Sequence, residues 1–324
     1  MMMWRPFGII FVAAAAAILA ALLATAFLLD PYDTGRSPLQ KPGVRPQGPR
    51  TAGASRGRDL SFNAAIIGNS HIQLLSPERL NAQTGLAFVQ LSIVATGPKE
   101  MFPVLKWFLR HHPSPRALVI GADRLWCADE VASWDNAPFP FWLYSSGTLE
   151  YIRGLLRMAV LEELPRRVAY LLAQRPARAR PDGYWDYEPA HIAAGYLTDP
   201  ARRAALERGS DNYVRNPTGQ FPAAERLRAA VAGLPAITAV IIVFPPTYRS
   251  LLPAPGSPGD EDNRACKAAL AEALAGRANA AVVDWRRDRP ELHDASLFFD
   301  WTHYRQELAR AVEREVAARL APRL

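Results

Sequence analysis

Cysteine is scarce in this chain: Cys127 and Cys266 are the only two in 324 residues. Two thiols cannot build a disulfide scaffold or a multi-cysteine metal centre. They are compatible with one bridge in an oxidising compartment, but nothing in the sequence shows that they meet, and two separate buried thiols are the expectation. Histidine is equally poor in ligand spacing. His191 and His293 have no spaced partners, so no metal is expected. No internal repeat is present, and there is no long block of like charge. The net charge is +7 and the pI about 9.6, yet Arg and Lys are scattered, which argues against a nucleic-acid binder.

What the chain does have begins at its N-terminus. No residue from Phe7 to Leu29 is charged, and about 20 apolar residues suffice to cross a bilayer core. Ala24-Thr25-Ala26 has the A-x-A form of a cleavage site, but signal-peptide apolar regions run about 7–15 residues. An uncleaved anchor over residues 1–30 is therefore expected. Arg5 precedes the span, whereas Arg36, Lys41, Arg45, Arg50, Arg56 and Arg58 follow it, so the positive-inside rule gives no clear orientation. A large domain behind an N-terminal anchor is usually exported. The expectation is a single-pass inner-membrane protein with a periplasmic body. Residues 31–58 are rich in Pro, Gly, Ser and Arg without apolar periodicity, and read as an extended linker or a loosely packed segment.

Short apolar runs at 64–67, 87–93, 117–121, 237–244 and 280–284 read as buried strands. Helical spacing covers 99–112, 149–172, 223–232, 263–275 and 304–320, and 72–80 reads as a helix or turn. Strands alternating with helices predict an α/β domain over 59–324, a parallel sheet covered on both faces. Residues from about 124 to 235 read as an insertion of helices and loops. Functional groups in such sheets gather beyond the carboxyl ends of the strands. Ser70, Asp123, Pro245 to Tyr248 and the segment 284–303 all follow expected strands.

Ser70 lies two residues past Gly68, which gives the backbone room for a tight turn. His303 has Asp300 three residues before it. A hydroxyl, an imidazole and a carboxylate are the parts of a nucleophile, its base and the group that orients the base. The Ser70 N–H, if it opens a helix, could also stabilise an oxyanion. Taken singly, each motif has a plain alternative: Ser70, Asp300 or Thr302 as a helix cap. His71 lines the site or sits at the surface, and His111-His112 reads as an exposed helix end. Trp126, Trp134, Phe139, Phe141, Trp142, Tyr144, Tyr184, Trp185 and Tyr187 read as core packing, with sugar stacking as the alternative. Arg166, Arg167, Arg175, Arg178 and Arg180 read as a solvated face, with an anionic glycan or lipid headgroups as the alternative.

Phe62 to His71, Gln90 to Gly97 and Asp300 to His303 resemble the first, second and last blocks of the SGNH (GDSL-like) hydrolase superfamily. Asp30-Pro31-Tyr32 after the apolar span is similar to the membrane-anchored branch found with bacterial polysaccharide O-acetylation machinery. The resemblance implies a flavodoxin-like, three-layer parallel sheet with a helical and loop insertion and an N-terminal transmembrane helix. It implies Ser70 as nucleophile, His303 as base, Asp300 as its orienting carboxylate, and the backbone N–H groups of Ser70 and Gly97 as oxyanion donors. The implied activity is a serine esterase or O-acyltransferase acting on acyl groups, acetyl foremost, of a cell-surface carbohydrate polymer. Its partners would be that polymer or an acyl-donor protein, with no cofactor. Two positions depart from the pattern. Asn69 stands where the first block usually has Asp, and Asp123 stands where the third block usually supplies an Asn to the oxyanion hole. An ionised carboxylate cannot donate a hydrogen bond. Either Asp123 is protonated and can donate, or Asn136 or Asn212 serves instead, or the chain is a non-catalytic polysaccharide-binding or assembly protein on the same fold.

Overall fold

The computed structural model describes residues 4–39, 48–134, 138–173, 180–208 and 215–321. Five parallel strands, β1 (Ala64–Ile67), β2 (Phe88–Gln90), β3 (Ala117–Gly121), β4 (Ala239–Phe244) and β5 (Ala280–Asp284), form one sheet in the order β2-β1-β3-β4-β5. Helices α1 (Trp4–Leu29) and α2 (Pro49–Gly57) precede β1, α3 (Pro77–Thr84) links β1 to β2, and α4 (Pro98–His111) links β2 to β3. The long connection from β3 to β4 carries α5 (Phe141–Tyr144), α6 (Thr148–Leu155), α7 (Met158–Leu171), α8 (Glu188–Ala193), α9 (Pro200–Arg208) and α10 (Pro222–Val231). Helix α11 (Pro258–Glu272) links β4 to β5, and α12 (Gln306–Leu320) closes the described chain.

The strands are almost wholly apolar because both of their faces are covered. Ala65, Ile67, Val89, Leu118, Ile120, Val240 and Ile242 pack to one side with Phe102 and Phe108 of α4, Leu227 of α10 and Leu270 of α11. Ala64, Ile66, Phe88, Val119, Ile241 and Val243 pack to the other with Leu80 of α3 and Val312 and Val316 of α12. Proline opens α3, α4, α10 and α11, where its missing N–H costs nothing and its fixed φ suits the first helical turn. Order reverses between β1 and β3, so the crevice beyond the carboxyl ends of these strands is where such sheets place their chemistry.

Four expectations need correction. Residues 31–39 and 48–58, the described parts of the expected linker, are not loosely packed. Asp30, Tyr32, Asp33, Thr34 and most of α2 are buried. The Asp30 carboxylate accepts from Thr34 Oγ1 at 2.9 Å, the Gly35 N–H at 2.8 Å and Tyr151 OH at 3.2 Å. Asp33 accepts from Ser55 Oγ at 2.6 Å and pairs with Arg58, with Arg167 3.8 Å away. These polar residues gave a linker-like composition because they are satisfied by partners distant in sequence. The cysteines are joined: Cys127, just past β3, is bonded to Cys266 of α11 across 139 residues. The helix expected at 149–172 is two helices, α6 and α7, because Arg157 takes an extended conformation between them. His112 is buried and stacks on Phe108 with ring centroids 4.2 Å apart, so the pair His111-His112 does not end in solvent.

Helix α1 is long and apolar enough to cross a membrane. Its last two turns dock on the body through Leu23, Ala26, Phe27 and Leu29.

Candidate active site

Ser70 opens a one-turn 3-10 helix, Ser70–Ile72, directly beyond β1. The turn is set by close packing. The Ile72 side chain enters between Gly68 at the end of β1 and Gly121 at the end of β3, and a Cβ on either glycine would lie 2.6 Å from it. Gln90 at the end of β2 braces the same turn. Its buried amide donates to the Ile72, Gln73 and Leu75 carbonyls at 3.3, 3.4 and 3.0 Å.

His303 arrives from the opposite end of the chain, on the loop between β5 and α12. Asp300 Oδ1 accepts from the Thr302 and His303 N–H groups at 2.9 and 2.8 Å, a local turn that leaves the imidazole over its own carboxylate. The loop is tied down by the Tyr248 N–H, which donates to the Trp301 carbonyl at 2.8 Å, and by Trp301 Nε1 on the Leu206 carbonyl at 3.2 Å. His303 Nδ1 lies 2.8 Å from Asp300 Oδ2, and Nε2 lies 2.9 Å from Ser70 Oγ. Hydroxyl, imidazole and carboxylate thus form one continuous chain across 233 residues. Burial pushes the Asp300 carboxyl up. The hydrogen bond and charge of His303, with the two backbone N–H groups, outweigh it and hold Asp300 below the ordinary carboxylate range.

The site opens into a crevice of about 790 Å³ of unfilled space, counting its mouth. Ser70, His303, Val94, Ala95, Trp134, Trp185, Tyr187 and His191 line it. Ser70 is half-buried and Trp185 is 56% exposed at the rim. Trp185 is carried there by an irregular segment along the edge of β2, whose Asp182 carbonyl accepts from the Gln90 N–H at 2.7 Å. Gly183 makes that approach feasible: its φ is +79° and a Cβ would meet the Gln90 carbonyl oxygen at 2.3 Å.

Gly97 is not placed as expected. It is buried, and its N–H donates to Glu100 Oε2 at 2.9 Å, a capping contact at the start of α4. The residue of this loop that lines the crevice is Ala95, held at φ +53°, a strained conformation for a residue with a Cβ. Arg50 of α2 donates to the Val94 and Ala95 carbonyls at 2.9 and 3.3 Å. Because a trans peptide points its N–H opposite its C=O, Arg50 turns the Ala95 N–H away from itself.

Asp123 does not line the crevice around Ser70. Its oxygens accept from Asn69 Nδ2 at 2.7 Å, the Leu125 N–H at 3.0 Å and Trp134 Nε1 at 3.4 Å. Burial raises its pKa, opposed by the Asn69 and Leu125 hydrogen bonds. The other amide hydrogen of Asn69 goes to the Thr96 carbonyl at 3.1 Å, tying the loops after β1 and β2 together. Asn136 and Asn212 lie outside the described residues, as do Arg175 and Arg178.

Sequence reasoning missed three residues here. His191 stacks 5.9 Å from His303, Arg50 orients the Ala95 loop, and Ala95 itself faces the crevice. None carries a local signal. His71 is buried beside His303, 5.4 Å between rings, with Nδ1 3.6 Å from Asp123. Burial first, and the neighbouring His303 second, hold its pKa down at about 3. It therefore stays neutral and adds no charge beside an imidazolium at His303. Trp126, Trp142, Tyr144 and Tyr187 are buried. Arg167 is buried too, and Arg166 pairs with Glu163 at 2.6 Å. Among the described residues no cluster of His, Cys, Asp or Glu could hold a metal ion. No protein-family model matches the chain, and no curated protein matches it either.

Proposed function

We propose that the chain is a serine esterase or O-acyltransferase of the SGNH hydrolase type, anchored in the inner membrane with its body outside the cytoplasm. The observation that carries this reading is the hydrogen-bonded series from Ser70 through His303 to Asp300 at the mouth of an open crevice. Ser70 Oγ attacks an acyl carbonyl while His303 Nε2 takes its proton. Asp300, kept ionised, fixes the Nδ1–H tautomer and stabilises the imidazolium. The Ser70 and Ala95 N–H groups receive the developing oxyanion. The imidazolium then protonates the departing alkoxide, leaving an acyl-Ser70, and a water or a sugar hydroxyl, deprotonated by His303, takes the acyl group.

Trp185 at the rim and half-buried Trp134 supply flat apolar faces of the kind that ligand crevices use, and they fit the ring of an acylated sugar. Location outside the cytoplasm is supported by the disulfide between Cys127 and Cys266, since such bonds persist in oxidising compartments. The test is covalent labelling with a fluorophosphonate probe. The full chain is expected to be modified at Ser70 and to hydrolyse a simple acetyl ester, and Ser70→Ala to do neither. An intact, folded chain that the probe does not modify would refute a catalytic Ser70.

A further inference from the structure

We propose that α7, with the end of α6, lies in the headgroup layer of the bilayer beside the point where α1 leaves it, so that the body is seated on the membrane instead of tethered above it. This rests on reading α1 as membrane-crossing. Only the end of α1 touches the body, and residues 4–22 of that helix stand free of it. At 1.5 Å per residue they are about 28 Å long, which matches a hydrocarbon core of about 30 Å. The bilayer surface then falls near Leu23, where the body begins.

Helix α7 crosses α1 at that level. Tyr32 OH donates to the Ala159 carbonyl at 3.5 Å, Arg167 Nε donates to the Leu29 carbonyl at 3.2 Å, and Phe27 meets Tyr151 of α6 with ring centroids 6.3 Å apart. Val160, Leu164 and Arg167 form its buried side. Met158, Leu161, Pro165, Val168 and Leu172 follow at alternating spacings of three and four, which puts them on one stripe. All five are exposed, Met158 to 70% and Leu172 to 63%, and exposed Leu156 at the α6–α7 break extends the stripe. A soluble surface seldom keeps such a row uncovered, whereas a helix lying in the interface plane needs it. The charges nearby, exposed Arg153, Arg157 and Arg166 against exposed Glu150 and Glu162 and the half-buried Glu163, balance. Apolar burial therefore does the holding, and seating on a zwitterionic surface should be insensitive to salt.

The experiment uses the full chain in phosphatidylcholine vesicles. Both native cysteines are bonded to each other, so a single introduced thiol can carry a fluorophore. Nitroxide groups placed near the lipid headgroup or near the acyl-chain end report depth. Labels at Leu161→Cys and Val168→Cys should be quenched by the shallow nitroxide about twofold or more above a label at Arg166→Cys on the opposite side of α7. A label at Ala15→Cys in α1 should be quenched by the deep one. If Ala15→Cys is quenched from the bilayer centre but Leu161→Cys and Val168→Cys behave like Arg166→Cys, seating is wrong and the span stands. If the stripe is shielded from lipid and the shielding fades on dilution of protein in lipid, a second copy covers it and seating is equally wrong. If Ala15→Cys meets no lipid, the spanning reading itself fails.

Discussion

Replacing Gly68 by alanine tests whether the wedge under Ser70, the proposed nucleophile, sets its position. Gly68 has an ordinary backbone conformation, so the added methyl acts by contact alone. It would stand 2.6 Å from both Cγ1 and Cδ1 of Ile72, where ordinary contact begins at 3.4 Å. Ile72 is fully buried and lies equally close to Gly121 of the neighbouring strand, which leaves it little room to swing aside. The turn carrying Ser70 must lift by about 0.8 Å, while His303 stays with its own loop on Asp300 and Trp301. The Ser70–His303 hydrogen bond, 2.9 Å in the native turn, is then stretched past useful length. A misplacement of this order costs about 100-fold in rate, and overpacking costs about 1–3 kcal/mol in stability. The assay is the second-order rate of fluorophosphonate labelling at Ser70, read beside urea unfolding. Adding Ile72→Ala removes both offending atoms but opens a cavity costing about 2–5 kcal/mol. Labelling should therefore recover while stability falls further. A Gly68→Ala chain that labels at the native rate, or a double variant that labels no faster than the single, would refute the wedge.

Two further outcomes follow from the groups behind Ser70. His71 is held at a pKa of about 3 against an ordinary value of 6.5; the unfolded chain takes up a proton as pH falls below that ordinary value, and the folded chain refuses it. Stability is thus lost as pH drops through this window, by about 2 kcal/mol at about pH 5. Urea unfolding of native chain and His71→Gln at about pH 7 and about pH 5 should show a smaller acid loss in the variant, and equal losses would refute a buried neutral imidazole. The Asn69–Asp123 hydrogen bond is the second case. Asn69→Asp sets two carboxyls against each other, and Asn69→Asp with Asp123→Asn restores one donor and one acceptor, so a double-mutant cycle should show coupling of about 2 kcal/mol. Simple additivity would mean that the two side chains do not depend on each other.

The strands and the Ser70, Asp300 and His303 set were legible in the sequence because each is a local pattern. A run such as Ala64 to Ile67 is buried on both faces whatever lies beside it, and Asp300 reaches His303 within one turn. What escaped reading depends on partners far along the chain. Asp30, Asp33, Arg58, Arg167 and Tyr151 look like linker and surface residues until they satisfy one another. Cys127 and Cys266 are neighbours only once β3 and α11 are in place. Arg50 sits in a segment with no periodicity, yet it holds the carbonyls of Val94 and Ala95 in the loop that lines the crevice with Ser70. That Ala95 and not Gly97 lines the crevice had no local signal. A glycine invites a positive φ, and here an alanine takes it because Arg50 grips the carbonyls on either side of that residue's φ and ψ bonds.

Read singly, Asn69 and Asp123 are two departures from the hydrolase pattern, one harmless and one damaging. In the fold they are a single contact, Asn69 Nδ2 to Asp123 Oδ2 at 2.7 Å. An amide and a carboxylate can form that bond from either side, since only the amide donates. Exchanging them keeps the bond and moves the negative charge from the residue next to the nucleophile to one behind it. There the carboxyl is bonded by Asn69, Leu125 and Trp134 and does not line the crevice around Ser70. Asn69 spends both amide hydrogens on Asp123 and the Thr96 carbonyl, so it has none to offer an oxyanion, and the proposed chemistry assigns that task to backbone N–H groups. That is why the strained Ala95, and the arginine that holds it, matter to the proposed chemistry more than any residue named by the pattern's third block.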